Sequence, residues 1–277
     1  MKANILPSIV LLVILLGIIP LTAALSDYSF QQTPGNYTEL ANPTTIHGTT
    51  IDDAMSAVID IGFTFILDDI PYTQFKANSN GFITLNPAST ASLTNNLTTQ
   101  LLILGGMWDD LKTDDTNASV SYQLFGTAPN RYLIVQYKNL KWYYSFTPVN
   151  LINFQIRLNE TTNTVQYTYG TMGAAPGTSA SASIGISGAA AGNYVSVTPA
   201  TPTASYSSAA EFNQINGTHV PFLTGNTYTF IPPAVVPNDL QAISITGTLT
   251  PSVGTASNYT VRVRNRGTNP QSTYMVK

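Results

Sequence analysis

The sequence predicts an all-β protein, an antiparallel β-sandwich followed by part of a second, smaller β domain. In many short segments, large apolar residues alternate with polar ones, as they do in a strand with one buried face. Turn-forming residues separate these segments at short intervals. After residue 24, no stretch keeps the 3.6-residue apolar spacing of a helix. Short strands joined by frequent turns are typical of antiparallel sandwiches.

Residues 61–86 give the clearest strand pattern and predict three consecutive strands. Within residues 63–67, every second residue is large and apolar. The Asp-Asp pair at positions 68–69 is expected to turn the chain. The pair Asn80-Gly81 is expected to form a tight hairpin, because both residue types tolerate positive φ.

The rest of the chain repeats this alternation in shorter runs. Residues 25–57 are polar and predict loops with one or two edge strands, and a bulge is expected near Asn139. Further strands are predicted within residues 101–110, 120–125, 131–144, 151–158, 164–169, 182–187, 194–197 and 228–231.

Composition is typical of an extracellular module. Charged residues make up 9% of the 277 residues, against about 25% in an ordinary soluble domain. The net charge of −3 argues against a nucleic-acid partner, which requires clustered basic residues. The chain has no cysteine, so disulfides, a thiol nucleophile and a lipid-modified cysteine are excluded. Fifteen tyrosines and 11 phenylalanines supply a large core.

Residues 1–24 are predicted to be a secretory signal peptide. Lys2 precedes an apolar run at residues 5–19, Pro20 breaks it, and small residues follow at positions 22–24. The alternative is an uncleaved anchor, since the run approaches the length that spans a bilayer. We therefore expect a secreted or cell-surface protein, with membrane contact only through this segment if it stays uncleaved.

Proline-rich sequence ends the main strand pattern and divides the chain. The last strand of the sandwich is followed by the sequence PPAVVP at residues 232–237. We predict four parts: signal peptide 1–24, β-sandwich module 25–233, linker 234–238 and a partial domain 239–277.

Three ordered blocks carry a family resemblance. They are GFTF, YTQF and SNGFITL within residues 62–85, MWDDL at 107–111, and NFQIRLNE, TVQYTYG and ASIGI within 153–186. Together they resemble a β-sandwich module near the N terminus of large secreted, multidomain bacterial surface proteins, similar to nidogen-like extracellular domains. The resemblance covers about residues 26–233.

The tail resembles the start of a bacterial cell-adhesion-related (CARDB) domain. The match lies in NDL at residues 238–240 and YTVRVRNRGT at residues 259–268. The resemblance implies a partial immunoglobulin-like β domain, because about three strands are too few to close such a fold. We expect the chain to be a fragment of a longer protein.

An acidic loop after Trp108 is a candidate calcium site. Carboxylate and carbonyl oxygens are the ligands that Ca²⁺ prefers. The alternative is a solvated acidic turn, because the spacing is not that of an EF-hand loop. The candidate ligands are Asp109, Asp110, Asp114, Asp115 and Asn117.

Three consecutive aromatic residues are candidates for a binding surface. Trp142, Tyr143 and Tyr144 lie in one predicted strand, so at least one should point outward. Exposed tryptophan and tyrosine are common in surfaces that bind sugars or proteins. The alternative is that one face belongs to the core and a loop covers the other.

Catalytic patterns are weak. The three glutamates, Glu39, Glu160 and Glu211, are the candidates for a glycosidase, and His47 and His219 for a hydrolase. We expect instead a non-catalytic structural or adhesion module whose partner is a cell-surface protein, a matrix protein or a polysaccharide. The alternative is a carbohydrate-binding accessory module of a secreted degradative enzyme, with its catalytic domain beyond Lys277. We expect no cofactor, with calcium at the acidic loop as the alternative.

Overall fold

The computed structural model describes residues 24–91, 93–143, 151–173, 182–198, 201–207, 223–234, 238–247, 257–265, 267 and 269–271. Residues Ala23–Pro237 form one compact unit, and Asn238–Lys277 belong to a second. Residues 1–23 of the predicted signal peptide lie outside the described residues, as do Tyr144, Glu211 and His219.

Strands dominate the described chain. After a single turn of 3-10 helix at Leu25–Asp27, the strands of the first unit are β1 (Ser29–Pro34), β2 (Thr44–His47), β3 (Ile59–Leu67), β4 (Ile70–Asn78), β5 (Phe82–Thr84), β6 (Ile103–Trp108), β7 (Leu111–Lys112), β8 (Ser119–Phe125), β9 (Tyr132–Trp142), β10 (Ile152–Asn159), β11 (Val165–Met172), β12 (Ser183–Ser187), β13 (Tyr194–Val197), β14 (Ala204–Ser205) and β15 (Asn226–Ile231).

These strands form two antiparallel sheets. The eight-stranded sheet has the order β1-β15-β11-β10-β9-β8-β2, with β7 also paired to β9. The seven-stranded sheet has the order β14-β13-β12-β6-β5-β4-β3. The predicted all-β antiparallel sandwich is therefore confirmed. One or two edge strands were expected within residues 25–57; there are two, β1 and β2, at opposite edges of the eight-stranded sheet.

Tyrosine hydroxyls link the two sheets through the core. Each of three fully buried tyrosines of the eight-stranded sheet donates a hydrogen bond to a backbone carbonyl of the seven-stranded sheet. The pairs are Tyr137 with Phe82 (2.5 Å), Tyr167 with Gly185 (2.8 Å) and Tyr169 with Gly106 (2.8 Å). Because a buried hydroxyl without a partner is costly, these bonds let large polar residues fill the core.

The first of the two predicted turns is confirmed, and the second differs in its length. Asp68 and Asp69 both have positive φ, at 56° and 59°, and form the two-residue turn between β3 and β4. At the second turn only Gly81 has positive φ, because Asn78 pairs with Phe82 and leaves a three-residue loop. An added Cβ at Gly81 would lie 2.0 Å from the Met107 carbonyl oxygen, so this position requires glycine.

Strand β9 carries the predicted bulge. Asn139 has a φ of 53°, and the pairing of β9 with β10 shifts register between Tyr137 and Leu140. The extra residue reverses the alternation, so Trp142 points into the core and is only 2% exposed. Beyond the bulge, β9 pairs with β7.

The described part of the second unit is one antiparallel hairpin. It contains β16 (Leu240–Gly247) and β17 (Tyr259–Asn265). Outside the two strands, the Gln271 side-chain amide donates a hydrogen bond to Asn238 Oδ1 at 2.9 Å. A partial immunoglobulin-like domain at residues 239–277 stays a prediction, as does the linker at residues 234–238.

Candidate functional site

A connection crosses the outer face of the eight-stranded sheet. Strands β1 and β2 follow each other in sequence but lie at opposite edges of that sheet. Residues 35–43 join them and therefore pass over the strands between; we call this segment the strap. Gly35, the first residue of the strap, is held in place because its N–H donates a hydrogen bond to the Gly225 carbonyl at 2.8 Å.

Two buried glutamines hold the middle of the strap. Gln155 Nε2 on β10 donates to the Thr38 carbonyl at 2.7 Å and to Gln136 Oε1 at 2.9 Å. Gln136 Oε1 on β9 also accepts from the Leu40 N–H at 3.0 Å. Backbone N–H and C=O groups of a segment outside a sheet need other hydrogen-bond partners. The side-chain amides of Gln136 and Gln155, on the outer face of the sheet, are the partners of the strap backbone. The strap is thus ordered by the sheet below it.

Further contacts fix the strap on both sides of the glutamines. Glu39 forms an ion pair with Lys138 of β9 at 2.6 Å. The Tyr37 ring lies over Gly170 of β11, where an added Cβ would come within 2.9 Å of the ring. Glycine at this position, within the TVQYTYG block, therefore makes room for the strap.

A groove lies between the strap and the ends of the central strands, with a volume of about 590 Å³. Its walls combine hydroxyl, amide and aromatic side chains with one arginine. The end of β1 and the strap supply Thr33, Pro34, Gly35, Asn36, Thr38, Glu39, Leu40 and Ala41, and the other strands supply Phe125, Tyr132, Ile134, Gln155, Arg157, Gln166, Thr168 and Thr227. We call it the strap groove.

Three stacked side chains form one end of the strap groove. The rings of Phe125 and Tyr132 are parallel within 12°, with centroids 5.1 Å apart. The Arg157 guanidinium carbon lies 3.7 Å from the centroid of the Tyr132 ring. Arg157 Nε donates to Asn159 Oδ1 at 2.8 Å. This stack and hydrogen bond set the plane of the guanidinium.

A second candidate site is a group of three carboxylates beside the loop after Trp108. Asp52, Asp53 and Asp110 each bring one oxygen within 4.8 Å of the others. The 50–53 segment is held there because Thr113 N donates to the Ile51 carbonyl at 2.9 Å.

The surroundings of these carboxylates disfavour the charged forms of Asp110 and Asp52. Burial raises the pKa of Asp110 to about 6; Asp53 and Asp52 add to the rise, and Lys112 opposes it. One oxygen of Asp110, Oδ1, is buried and has no hydrogen-bond partner among the described residues. Burial and Asp53 likewise raise the pKa of Asp52. Three carboxylates can attract a cation, but Ca²⁺ takes six to eight oxygens.

The predicted calcium ligands are only partly brought together. Asp110 faces Asp52 and Asp53, which lie far away in sequence. Asp114 pairs with Lys112 at 3.3 Å and Asp115 with Lys141 at 3.4 Å. Asp109 Oδ1 accepts from the Asp110 N–H, and Asp115 Oδ1 from the Asn117 N–H. Calcium binding at this loop stays a prediction.

The aromatic candidates separate. Trp142 cannot serve as a surface residue, because the bulge at Asn139 turns it inward. Tyr143 is 42% exposed, and the Lys112 ammonium lies 5.3 Å from the centroid of its ring. Only Tyr143 therefore remains a surface candidate among the described residues. The sequence pattern did not predict the strap groove, because its aromatic residues, Phe125 and Tyr132, lie on two different strands and form no local motif.

The catalytic candidates that the structure describes make structural contacts. Glu160 binds Arg131 through both carboxylate oxygens, and this hydrogen bonding lowers the pKa of Glu160. Arg131 also donates to the Gly62 carbonyl of β3 at 2.6 Å, which links the two sheets. The His47 ring lies 3.1 Å from the Ala77 carbonyl oxygen, and burial lowers its pKa.

The blocks of the family resemblance contact one another in the fold. Asn80 Oδ1 accepts from the Leu111 N–H at 3.0 Å, and the Asn80 carbonyl accepts from the Asp109 N–H at 3.3 Å. The rings of Phe82 and Trp108 have centroids 4.9 Å apart. A family model described as NIDO related matches residues 27–232. The chain belongs to the NIDO-related family. Comparisons with curated proteins and with solved structures found no match.

The NIDO-related match confirms the predicted nidogen-like module. The match covers both sheets of the sandwich and the strap, and it points to an extracellular structural module. Among the described residues, no helix is long and apolar enough to cross a membrane. The resemblance of the tail to a cell-adhesion-related domain lies beyond the matched residues of the NIDO-related module and stays a prediction.

Proposed function

We propose that this protein is an exported, non-catalytic module that acts in adhesion or structure at a cell surface or in a matrix. One observation carries the proposal: the strap builds a polar groove of about 590 Å³ on the outer face of the sandwich. Membership of the NIDO-related family supports an extracellular location for it. A pre-formed groove of this size on a rigid sheet is suited to binding a ligand.

A binding role is favoured over hydrolysis by the contacts of the candidate acids and bases. Glu160 is held by Arg131, and Glu39 is held by Lys138. A glycosidase needs two carboxyl groups that flank the scissile bond. In the strap groove, Glu39 is the only carboxylate among the lining residues. This composition supports recognition of a partner rather than its cleavage.

A carbohydrate-binding accessory module is the second candidate. The hydroxyl and amide side chains that line the strap groove match the hydrogen-bonding groups of a sugar. Phe125, which ends the stack with Tyr132, adds the aromatic surface that sugar-binding sites use. In this case the protein would belong to a larger degradative enzyme.

Binding of the purified chain from Leu25 to Lys277 to cells, matrix proteins and a glycan array separates the candidates. Adhesion to cells or matrix without glycan binding supports the first candidate, and glycan binding alone supports the second. Release of reducing sugar or of peptide from the same substrates would contradict a non-catalytic role.

A further inference from the structure

The guanidinium of Arg157 is presented to the strap groove with its direction fixed. The Tyr132 ring supports one face of it, at 3.7 Å, and Nε is bound to Asn159 Oδ1. Within the described residues, its two terminal amino groups have no acceptor. Fixed, parallel N–H groups of this kind match a carboxylate in bidentate geometry.

Charge in the strap groove is unbalanced in favour of an anion. Arg157 and Glu39 are the charged residues of the lining, and Glu39 is already paired with Lys138. Burial lowers the pKa of Arg157, because the groove removes part of the water around its guanidinium. A ligand with one negative group would restore the balance.

The rest of the lining matches a sugar better than a peptide. Thr38, Thr168, Thr227 and Gln166 are among the residues that line the groove's volume of about 590 Å³. The Thr168 and Thr227 hydroxyls lie 3.0 Å apart, and Gln166 Nε2 donates to the Thr229 hydroxyl at 3.3 Å, so each group keeps further hydrogen-bonding capacity. Sugar hydroxyls both donate and accept hydrogen bonds, as these side chains do. Phe125 adds an aromatic ring for the apolar face of a sugar.

We propose that the strap groove binds an acidic saccharide, with Arg157 holding the sugar carboxylate and Phe125, at the other end of the stack, supporting the sugar ring. The proposal rests on the proposed function, because it names the ligand class of the same groove. Gln136 and Gln155 act as positioning residues, since they hold the strap that forms the other wall.

Calorimetric titration of the chain from Leu25 to Lys277 tests the proposal. The probes are an array of uronate-containing and sialylated oligosaccharides, followed by the best binder and its methyl ester. We expect the ester to bind roughly tenfold to a hundredfold more weakly, because it cannot form the charged bidentate contact. Raising the salt concentration should weaken binding of the acid form and leave the ester unaffected.

Variants locate the binding site. Arg157→Gln should weaken binding of the acid by roughly tenfold or more. Thr38→Trp, on the exposed strap wall, should block the groove without removing charge. Arg262→Gln, which removes an exposed arginine of the second unit, is the matched control and should leave the affinity unchanged. Thermal unfolding of each variant confirms that it is folded.

Several results would overturn the inference. They are absence of binding to every acidic saccharide by the folded wild-type chain, equal binding of acid and ester, full affinity in folded Arg157→Gln, or binding of acidic peptides alone. Adhesion to cells or matrix that survives in Arg157→Gln would leave the proposed function in place while removing the saccharide site. Loss of all adhesion in the wild-type chain would remove the proposed function itself.

Discussion

The Leu25 N–H donates to Asn193 Oδ1 at 2.7 Å, and the Asn193 amide in turn donates to Asp68 Oδ2 at 2.8 Å. The Leu25 side chain and the Asp68 residue are both fully buried. Cleavage after Ala24 would convert the Leu25 N–H into an α-ammonium group, and Asn193 would connect this group to the buried carboxylate of Asp68. The residue at which the mature chain is predicted to begin is therefore held in place by hydrogen bonding and burial in the sandwich.

We predict that Asn193→Ala lowers the free energy of unfolding by about 2–4 kcal/mol. It removes the acceptor of the Leu25 N–H and one hydrogen bond to Asp68 Oδ2, and each buried hydrogen bond lost in this way costs about 1–3 kcal/mol. Thermal unfolding followed by circular dichroism measures the loss.

A double-mutant cycle with Asp68→Asn provides the control. Because both residues belong to one hydrogen-bonded chain, the two losses should not add. Additive effects would show that the Asn193 contact with Asp68 contributes nothing to stability.

The tyrosine bonds across the core give a second prediction. Tyr169→Phe removes the hydroxyl that satisfies the Gly106 carbonyl and should lower the free energy of unfolding by about 1–3 kcal/mol. Tyr143→Phe, at an exposed ring, is the matched control and should change stability by less than about 0.5 kcal/mol. Equal stability of the two variants in urea unfolding would contradict a structural role for the cross-core bond.

The sequence predicted the strands and a bulge near Asn139, but not which side chains the bulge redirects or what crosses the sheet. Residues 63–67 alternate strictly, so β3 was predictable from the sequence. The direction of Trp142 was not, since the bulge at Asn139 changes the face of every residue after it. The predicted hairpin at Asn80-Gly81 has a three-residue loop instead of a two-residue turn, and the nearby Met107 carbonyl, which is remote in sequence, leaves no room for a side chain at Gly81.

The candidate sites depend on contacts that are remote in sequence. Asp52 meets Asp110 only because Thr113 binds the 50–53 segment. The strap groove needs the positions of β1 and β2 at opposite edges, which follow from sheet order and not from local pattern. Short-range reasoning from the sequence could therefore identify the acidic loop but not its partners.

The raised pKa of Asp110 gives a pH-dependent prediction. Its pKa is about 6 in the folded chain against a reference value of 3.8. Between these values the folded state binds the proton more tightly, so the contribution of Asp110 to stability is complete below pH 3.8 and is lost as pH rises through 6. Asp110→Asn should therefore raise Tm at pH 7.5, and this advantage should vanish near pH 4.

Solvent screening limits the size of this gain, because Asp110 is partly exposed. We expect an increase in Tm of roughly 1–3 °C at pH 7.5. Asp60→Asn, at an exposed carboxylate, is the matched control and should leave Tm unchanged. If the Tm of Asp110→Asn lies below that of the wild-type chain at pH 7.5, the charged form of Asp110 does not destabilise the fold and the prediction is wrong.

Calcium titration separates a cation site from a solvated acidic turn. If the three carboxylates bind Ca²⁺, millimolar Ca²⁺ should raise Tm of the wild-type chain and should have a smaller effect on Asp110→Asn. We expect the acidic turn, because Asp114 and Asp115 are already paired with lysines. Calorimetric heat and a thermal shift at millimolar Ca²⁺ would contradict this expectation.

Gln155 gives the last prediction, because its side chain joins the strap to the sheet. Gln155→Ala removes the donor to the Thr38 carbonyl and the contact that orients Gln136 towards the Leu40 N–H. Loss of about 1.4 kcal/mol of local stability corresponds to roughly tenfold faster exchange of the Leu40 amide proton. Hydrogen exchange followed by NMR measures this rate, with Gln74→Ala on β4 as the matched control. Because the loosened strap forms one wall of the groove, affinity for the acidic saccharide should fall together with protection of Leu40. Unchanged exchange at Leu40 in the folded Gln155→Ala variant would show that other contacts hold the strap.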